Sequence, residues 1–269
     1  MKKRSWFIGV GVFLYLCSLI ALGGFSVPAD QDVLRIWNES FEYAENPSEF
    51  NLLVWNIKKL EKRGAKEDLV NFSKKYDLML IQEFASDEKL NSYWESYKNH
   101  RIDFAISFLR RKEFQTGVAH ISNFSMDELV WVRSVGLEPL VDTPKMTTLS
   151  THTINNKQLM IVNIHSINFV DDDVYENEMN RIESILSRHQ GPLIFAGDFN
   201  CWNKDRKKIV NRVAKNLNLQ FTQFPEREKS IWGIIDHVLY RGVHIVDPHV
   251  LEQYNSSDHK PLIMKVVVD

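Results

Sequence analysis

Apolar residues recur along the chain in two rhythms. Nine short stretches are continuous or alternating apolar runs: NLLVWNI (51–57), DLMLIQE (77–83), DFAISFLR (103–110), GVAHIS (117–122), MTTLSTHTI (146–154), QLMIVNIH (158–165), PLIFAGDFN (192–200), IDHVLYR (235–241) and PLIMKVVV (261–268). Their β-branched and aromatic content reads as strands. Over roughly 65–76, 87–98, 173–189 and 204–217, apolar residues instead return at three and four, as in Ile182, Ile185 and Leu186 or Ile209, Val213 and Leu217, which predicts helices with one covered face. Strands followed sometimes by a helix and sometimes by another strand predict an α/β domain with mixed sheets over residues 49–269.

The first thirty residues break this rhythm. Lys2, Lys3 and Arg4 are followed by no charged residue until Asp30, an apolar span that as a helix crosses the ~30 Å hydrocarbon core of a bilayer. Basic residues at the front of such a segment stay in the cytoplasm and put the rest of the chain on the far side. A signal anchor or signal peptide is therefore expected over 1–29, with Ala21-Leu22-Gly23 the cleavage site if the chain is released; bulky Tyr15 and Leu16 argue against lipidation at Cys17. Residues 30–48, with Pro47 and an acidic excess, read as a tether.

Composition narrows the classes. With 269 residues, 44% of them hydrophobic and 25% charged, the chain is an ordinary globular one. A net charge of −2 and a pI near 6.5 supply no general attraction to polyanions, so phosphate binding has to come from local clusters. Two cysteines exclude a disulfide framework, and neither lies in a Cys/His array suited to structural zinc; Cys201 reads as a packing residue.

Candidate chemistry gathers where strands end. A strand fit for the interior that finishes in a carboxylate needs a partner for it; four runs finish in polar residues, Asn56, Glu83, His165 and Asp198 with Asn200, and a further acidic candidate, Asp236, stands at the edge of another. Asp258 and His259 follow in an Asn-Ser-Ser loop. In open α/β sheets ligands bind at strand ends, so the repetition points to one shared site. Asp198 and Asn200 stand two apart, as do Asn163 and His165, which puts each pair on one strand face, and Gly197 allows a close backbone approach. Each residue alone has a plainer reading: Asp198 as an Asx-turn residue, Glu83 as a solvated strand end, His165 as a core histidine. Independent occurrence at every strand end is what the plainer readings explain badly. No GxSxG elbow, GK[ST] loop or HExxH is present.

In order, WNI (55–57), QE (82–83), NIH (163–165), GDFN (197–200), ID (235–236) and SDHKP (257–261) resemble the motif set of the endonuclease/exonuclease/phosphatase superfamily over residues 51–269. NIHSINF, DVYENEM and GDFNCW are similar to a small group of bacterial members of unassigned substrate. The resemblance implies a two-sheet mixed sandwich flanked by helices in four layers, and a phosphoesterase, foremost a phosphodiesterase, using Mg²⁺ or Mn²⁺. Carried over, Glu83 with Asn56 and Asp258 would hold the metal. Asp198, with Asn200 beside it, would orient or deprotonate the attacking water; His259 and His165 would contact the phosphate and leaving oxygen; Asp236 would fix one histidine tautomer. Oxygen ligands with few histidines suit Mg²⁺ better than zinc. GVAHIS stands where many members carry a site tyrosine or an aliphatic, and His120 receives no role, alternating outward.

The substrate is less legible. Lys58 and Lys59, and Lys204, Arg206, Lys207 and Lys208, flank the motifs and either bind phosphates or are solvated surface. Trp202 and Trp232 offer stacking surfaces or core packing. Nucleic acid, slightly favoured, and a phospholipid or small phosphoester at the membrane both remain open as partners, with a non-catalytic phosphate-binding module behind them. A monomer outside the cytoplasm, membrane-anchored or secreted, is expected, with Lys58, Lys204 and Trp202 touching substrate.

Overall fold

Side-chain alternation along each strand decides the layers. In β3 (Glu49–Asn56), Phe50, Leu52 and Val54 face one core and Leu53 and Trp55 another; in β10 (Leu193–Asp198), Ile194 and Ala196 oppose Leu193 and Phe195. Strands that are apolar on both faces must be covered on both. The computed structural model of the chain describes residues 24–269 apart from 42, 44, 45, 99, 140, 226 and 228–232, and among these it contains two mixed sheets.

The first sheet joins β1 (Phe25–Ser26), β5 (Arg101–Arg110), β6 (Phe114–Ser122), β4 (Leu78–Ser86), β3, β14 (Leu262–Val267) and β13 (His244–Val250) in that order, with β2 (Leu34–Trp37) also on β5. The second runs β11 (Gln220–Phe221), β12 (Asp236–Arg241), β10, β9 (Lys157–His165), β8 (Met146–Ile154) and β7 (Glu128–Arg133). Only β3–β4 and β9–β10 pair in parallel. Between the sheets lies a core that includes Val54, Leu80, Ile161, Ile194 and Val238. Helices α1 (Ala65–Ser73) and α2 (Glu88–Ser96) press Leu69, Phe72 and Trp94 onto the outer face of the first sheet. Helices α3 (Asp172–Leu186) and α4 (Lys204–Asn216) do the same to the second with Tyr175, Met179, Val210 and Val213. Each such fully buried side chain contributes about 1.5–3 kcal/mol. Asp87 and Asn203 cap α2 and α4 by accepting from Leu90 N at 2.9 Å and Arg206 N at 2.7 Å.

All nine expected strands and four expected helices form, with two corrections at the front. The described parts of the expected tether over 30–48 pack on the domain. Val33 and Trp37 are buried, β2 pairs with Leu34 opposite Ala105 and Trp37 opposite Ile102, and Asn46 is fixed by Thr153 O and Ser125 N at 3.0 and 2.8 Å. The expected anchor over 1–29 lies for the most part outside the described residues, but its last part belongs to the domain, because Phe25 pairs with Arg110 and Ser26 with Leu109. Among the described residues no helix is long and apolar enough to cross a membrane. Strands β7 and β13 were not expected. Both lie at sheet edges, bury little, and β13 carries Pro248 at a register shift between Val246 and His249, which dulls the sequence signal.

Gly197 is the one place in β10 that tolerates no side chain. Its φ is +134°, and a Cβ there would come 2.1 Å from Ile164 O on the parallel neighbour. Gly197→Ala should therefore lower unfolding free energy by about 2–4 kcal/mol, measured by urea titration. Wild-type stability would show that the strand spacing is not set at this residue.

Candidate active site

The inward-facing file of each central strand turns from apolar to polar at the same end. Phe50, Leu52 and Val54 lead to Asn56; Leu78 and Leu80 to Gln82; Ile161 and Asn163 to His165; Ile194 and Ala196 to Asp198. Strand register does the assembling. Asp198 is the direct partner of His165 on β9 and of Asp236 on β12, and Asn56 that of Gln82. Glu83 arrives differently from expectation. The strand does not end there but continues to Ser86, and a register shift between Gln82 and Phe84 leaves Glu83 in a bulge with φ +50°. A bulge of this kind re-aims a side chain.

These side chains line one cleft of about 460 Å³, shared by Glu83, His165, Asp198, Asn200, Asp236, Asp258 and His259. Asp198 sits at its floor, buried, with Asn56 Nδ2 donating to Oδ2 at 3.0 Å and Asn200 N donating to Oδ1 at 2.9 Å. The second bond is the Asx-turn contact of the plainer reading, so Asp198 is a loop former and a site residue together. Burial pushes its carboxyl up to about 6, and the positive His259 and the Asn200 and Asn56 donors hold it from going higher. Asn200 (φ +47°) gives its amide to Ser166 O at 2.9 Å and so shapes the loop.

The two histidines are in opposite states. His259 directs Nδ1 at both oxygens of Asp236, at 2.9 and 3.0 Å, while Nε2 stands 3.9 Å from Asp198 Oδ2. Burial alone would drain its proton, but the Asp236 carboxylate overrides that and raises it to about 10. Asp236 thus pairs with His259, the choice between histidines that the sequence left open, and Arg227 braces it by donating to its main-chain oxygen at 2.8 Å. His165 lies 3.7 Å from Asp198 Oδ2 and 3.9 Å from Glu83 Oε1. Burial and the nearby Lys145 keep it well below the usual imidazole range, so it faces both carboxylates as a neutral ring rather than a cation.

Glu83 is the anionic pole of the cleft. Burial favours its neutral form, yet Lys59 and Lys145 hold it far below the usual carboxylate range, and Lys59 Nζ contacts Oε2 directly. Glu83 with Asp258 at the rim offers the hard oxygen donors that a divalent ion takes. Asn56 fits that role less well, because its Oδ1 accepts from Lys58 N at 3.0 Å and its amide is given to Asp198. Asp198, Asp236 and His259 also bring ligand atoms within 4.8 Å of one another. His259 could join such a ligand set only by giving up the proton that Asp236 holds on it.

Other expectations fall outside the cleft. Lys58 is bound to Asp258 at 2.6 Å and half exposed. Lys204, expected at substrate, is exposed at the start of α4 and does not line the cleft; the plainer reading of a solvated helix holds for it. In the same basic run Arg206 turns fully inward, donating to Asn200 O at 3.1 Å and Val170 O at 2.7 Å between the rings of Tyr175 and Trp202. Trp202 lines the cleft, partly exposed, and Trp232 lies outside the described residues. His120 does not face outward. It is buried between the sheets, with Thr148 Oγ1 at 2.9 Å and Ser150 Oγ at 3.3 Å. Lys145, Arg227 and Lys260 complete the cleft and went unread, since each stands in or beside a loop where a lone cation carries no signal. Cys201 is buried, its thiol pushed up to about 12.

A profile of the Endonuclease/Exonuclease/phosphatase family matches residues 53–259. A UPF0294 protein of Vibrio parahaemolyticus is 30% identical over 247 residues, 89% of this chain and 85% of that one. Among solved structures, an endonuclease/exonuclease/phosphatase from Beutenbergia cavernae superposes with a TM-score of 0.63 at 16% identity, over 82% of this chain and 72% of that one. The human nocturnin catalytic domain with bound sulfate anion gives 0.58 at 13%, over 87% and 100%.

The His259–Asp236 pair has a measurable signature. Because the raised value exceeds the unfolded 6.5, the stabilisation it supplies is complete below pH 6.5 and fades as pH rises through about 10. In Asp236→Asn the His259 titration followed by NMR should move down by roughly 1–3 units. An unmoved titration would remove Asp236 as its partner.

Proposed function

The chain belongs to the endonuclease/exonuclease/phosphatase family, whose members are generally hydrolases of phosphoesters, and on that premise we propose that it is a divalent-metal-dependent phosphodiesterase. The observation that carries this reading is the convergence of one ionised carboxylate, one carboxyl poised near neutrality and one charged imidazole on a single cleft. Sulfate, held by nocturnin, has the tetrahedral shape of a phosphoryl group.

Glu83 with Asp258 would hold the ion, which supplies charge neutralisation at the phosphoryl oxygens. The protein's own groups do the rest. Asp198 accepts a proton from a water as its oxygen bonds to phosphorus. His259, held cationic by Asp236, donates from Nε2 to a phosphoryl oxygen, stabilising the charge that grows there. Neutral His165 donates a hydrogen bond toward the ester oxygen as the phosphorus–oxygen bond breaks; that oxygen leaves as an alkoxide and takes its proton from water, while Asp198 returns to solvent the proton it accepted.

The cations anticipated for a polyanion are largely committed: Lys58 to Asp258, Lys59 to Glu83 and Lys208 to Asp205. With an ion on Glu83 and Asp258 the first two pairs would open, so a nucleic-acid strand and a diester on a small or lipid-borne group are both compatible with the cleft. The nuclease reading rests on Trp202, an aromatic shelf at the cleft wall. We further propose that residues 5–23 anchor the chain with its domain outside the cytoplasm.

A panel of plasmid DNA, a phospholipid and a soluble aryl phosphodiester should show turnover that chelation abolishes and Mg²⁺ or Mn²⁺ restores. Asp198→Asn and His259→Ala should each lower kcat by about 10²-fold or more with the fold intact by circular dichroism. Full activity in either variant removes that residue from the chemistry. The dependence of kcat/KM on pH should rise through about 6, as Asp198 ionises, and fall toward about 10, as His259 loses its proton.

A further inference from the structure

We propose that the edge of the sandwich bearing the cleft lies against a lipid bilayer. Three independent features place it there. The first is where the described chain begins. Gly24 O accepts from Arg111 N, and Phe25 pairs with Arg110, at the tip of the β5–β6 hairpin. That tip is at the same end of the first sheet as the polar ends of β3 and β4, because β6 runs antiparallel to β4 and sets Gln115 against Ser86. The nineteen apolar and uncharged residues 5–23, which as a helix would extend about 28 Å, therefore join the domain at the cleft edge, with no slack between Gly23 and the first sheet residue but Gly24.

The second feature is the distribution of exposed apolar side chains. Among the described residues seven large hydrophobic ones are exposed, and five of them stand at this end: Val27 after β1, Val135 and Leu137 in the β7–β8 loop, Phe169 after β9 and Trp202 after β10. Val135 is 76% and Phe169 64% exposed, values that serve no packing purpose. The rim is continuous, since Arg133, just before Val135, donates to Pro28 O at 2.8 Å and pairs with Asp30 at 3.0 Å. An apolar fringe around a polar cleft is the pattern of an interaction surface.

The third is charge. Arg111, Lys112 and Glu113 are exposed at the hairpin tip beside Gly24 and leave it one net positive charge, which favours anionic headgroups. An aromatic and aliphatic fringe with flanking basic residues matches the interfacial layer of a bilayer more closely than a second protein surface, and the chain's own apolar segment arrives at the same place. The surface stands on its own; its consequence, that the diester is presented at headgroup depth rather than delivered from bulk water, rests on the phosphodiesterase reading.

The test uses the full chain in vesicles of phosphatidylethanolamine and phosphatidylglycerol. In a Cys17→Ser background, Cys201 being buried, bimane is attached to Val135→Cys, Phe169→Cys or Val246→Cys, the last exposed on β13 toward the opposite end. A phospholipid with a nitroxide on its headgroup should quench the first two and spare the third. Quenching of all three alike, or of Val246→Cys alone, or of none, overturns the proposal. The same vesicles are assayed with a lipid-borne and a soluble aryl phosphodiester. Absence of turnover on both, alongside the expected quenching, would leave the membrane surface standing and remove the hydrolase reading.

Discussion

Everything at the cleft depends on how the seam between the two sheets ends. For most of its length that seam is aliphatic, and its last row is made of amides, carboxylates and a histidine. A carboxylate such as Asp198, shut away from water, is tolerable only while donors reach it, and one donor, Asn56, comes from the opposite sheet at 3.0 Å. This hydrogen bond ties the sheets at the edge where hydrophobic packing gives out. It also fixes Asp198 relative to Glu83 and His259, which the first sheet and its final loop supply.

Charge inside the cleft is divided rather than pooled. His259 keeps its proton because Asp236 faces it, and His165, with cations nearby and full burial, does not. Glu83 stays ionised among lysines, while burial lifts Asp198 above the usual carboxylate range. Pairs of like groups driven to unlike states are how a site supplies both an acceptor and a donor of protons at one pH. The partition follows from register: Asp236 and His165 flank Asp198 on neighbouring strands, and only Asp236 lies on the side from which His259 approaches.

How much of this was legible in sequence varies residue by residue. Asp198, His165 and Asp236 announced themselves as polar ends of strands whose interiors allow nothing polar, and parallel or antiparallel pairing then made them neighbours. Glu83 was found for the wrong local reason, since a bulge inside β4 and not a strand end turns it inward. Lys145 and Arg227 were invisible because a lysine or arginine in a loop looks the same whether it faces solvent or a buried carboxylate. The pairing of β1 and β2 was hidden as well: two short edge strands that bury few side chains leave no periodicity, and a stretch such as LRIW reads equally well as part of a tether.

Arg206 has a mechanical consequence. Its guanidinium, without solvent exposure, grips main-chain oxygens at Asn200 and Val170 and lies between Tyr175 and Trp202. The loops that follow β9 and β10 are thereby stitched into a single stiff wall, a fixed jamb on one side of the doorway. On the other side the chain after β3 is under tension of its own, with Lys58, Lys59 and Leu60 all in left-handed backbone conformations.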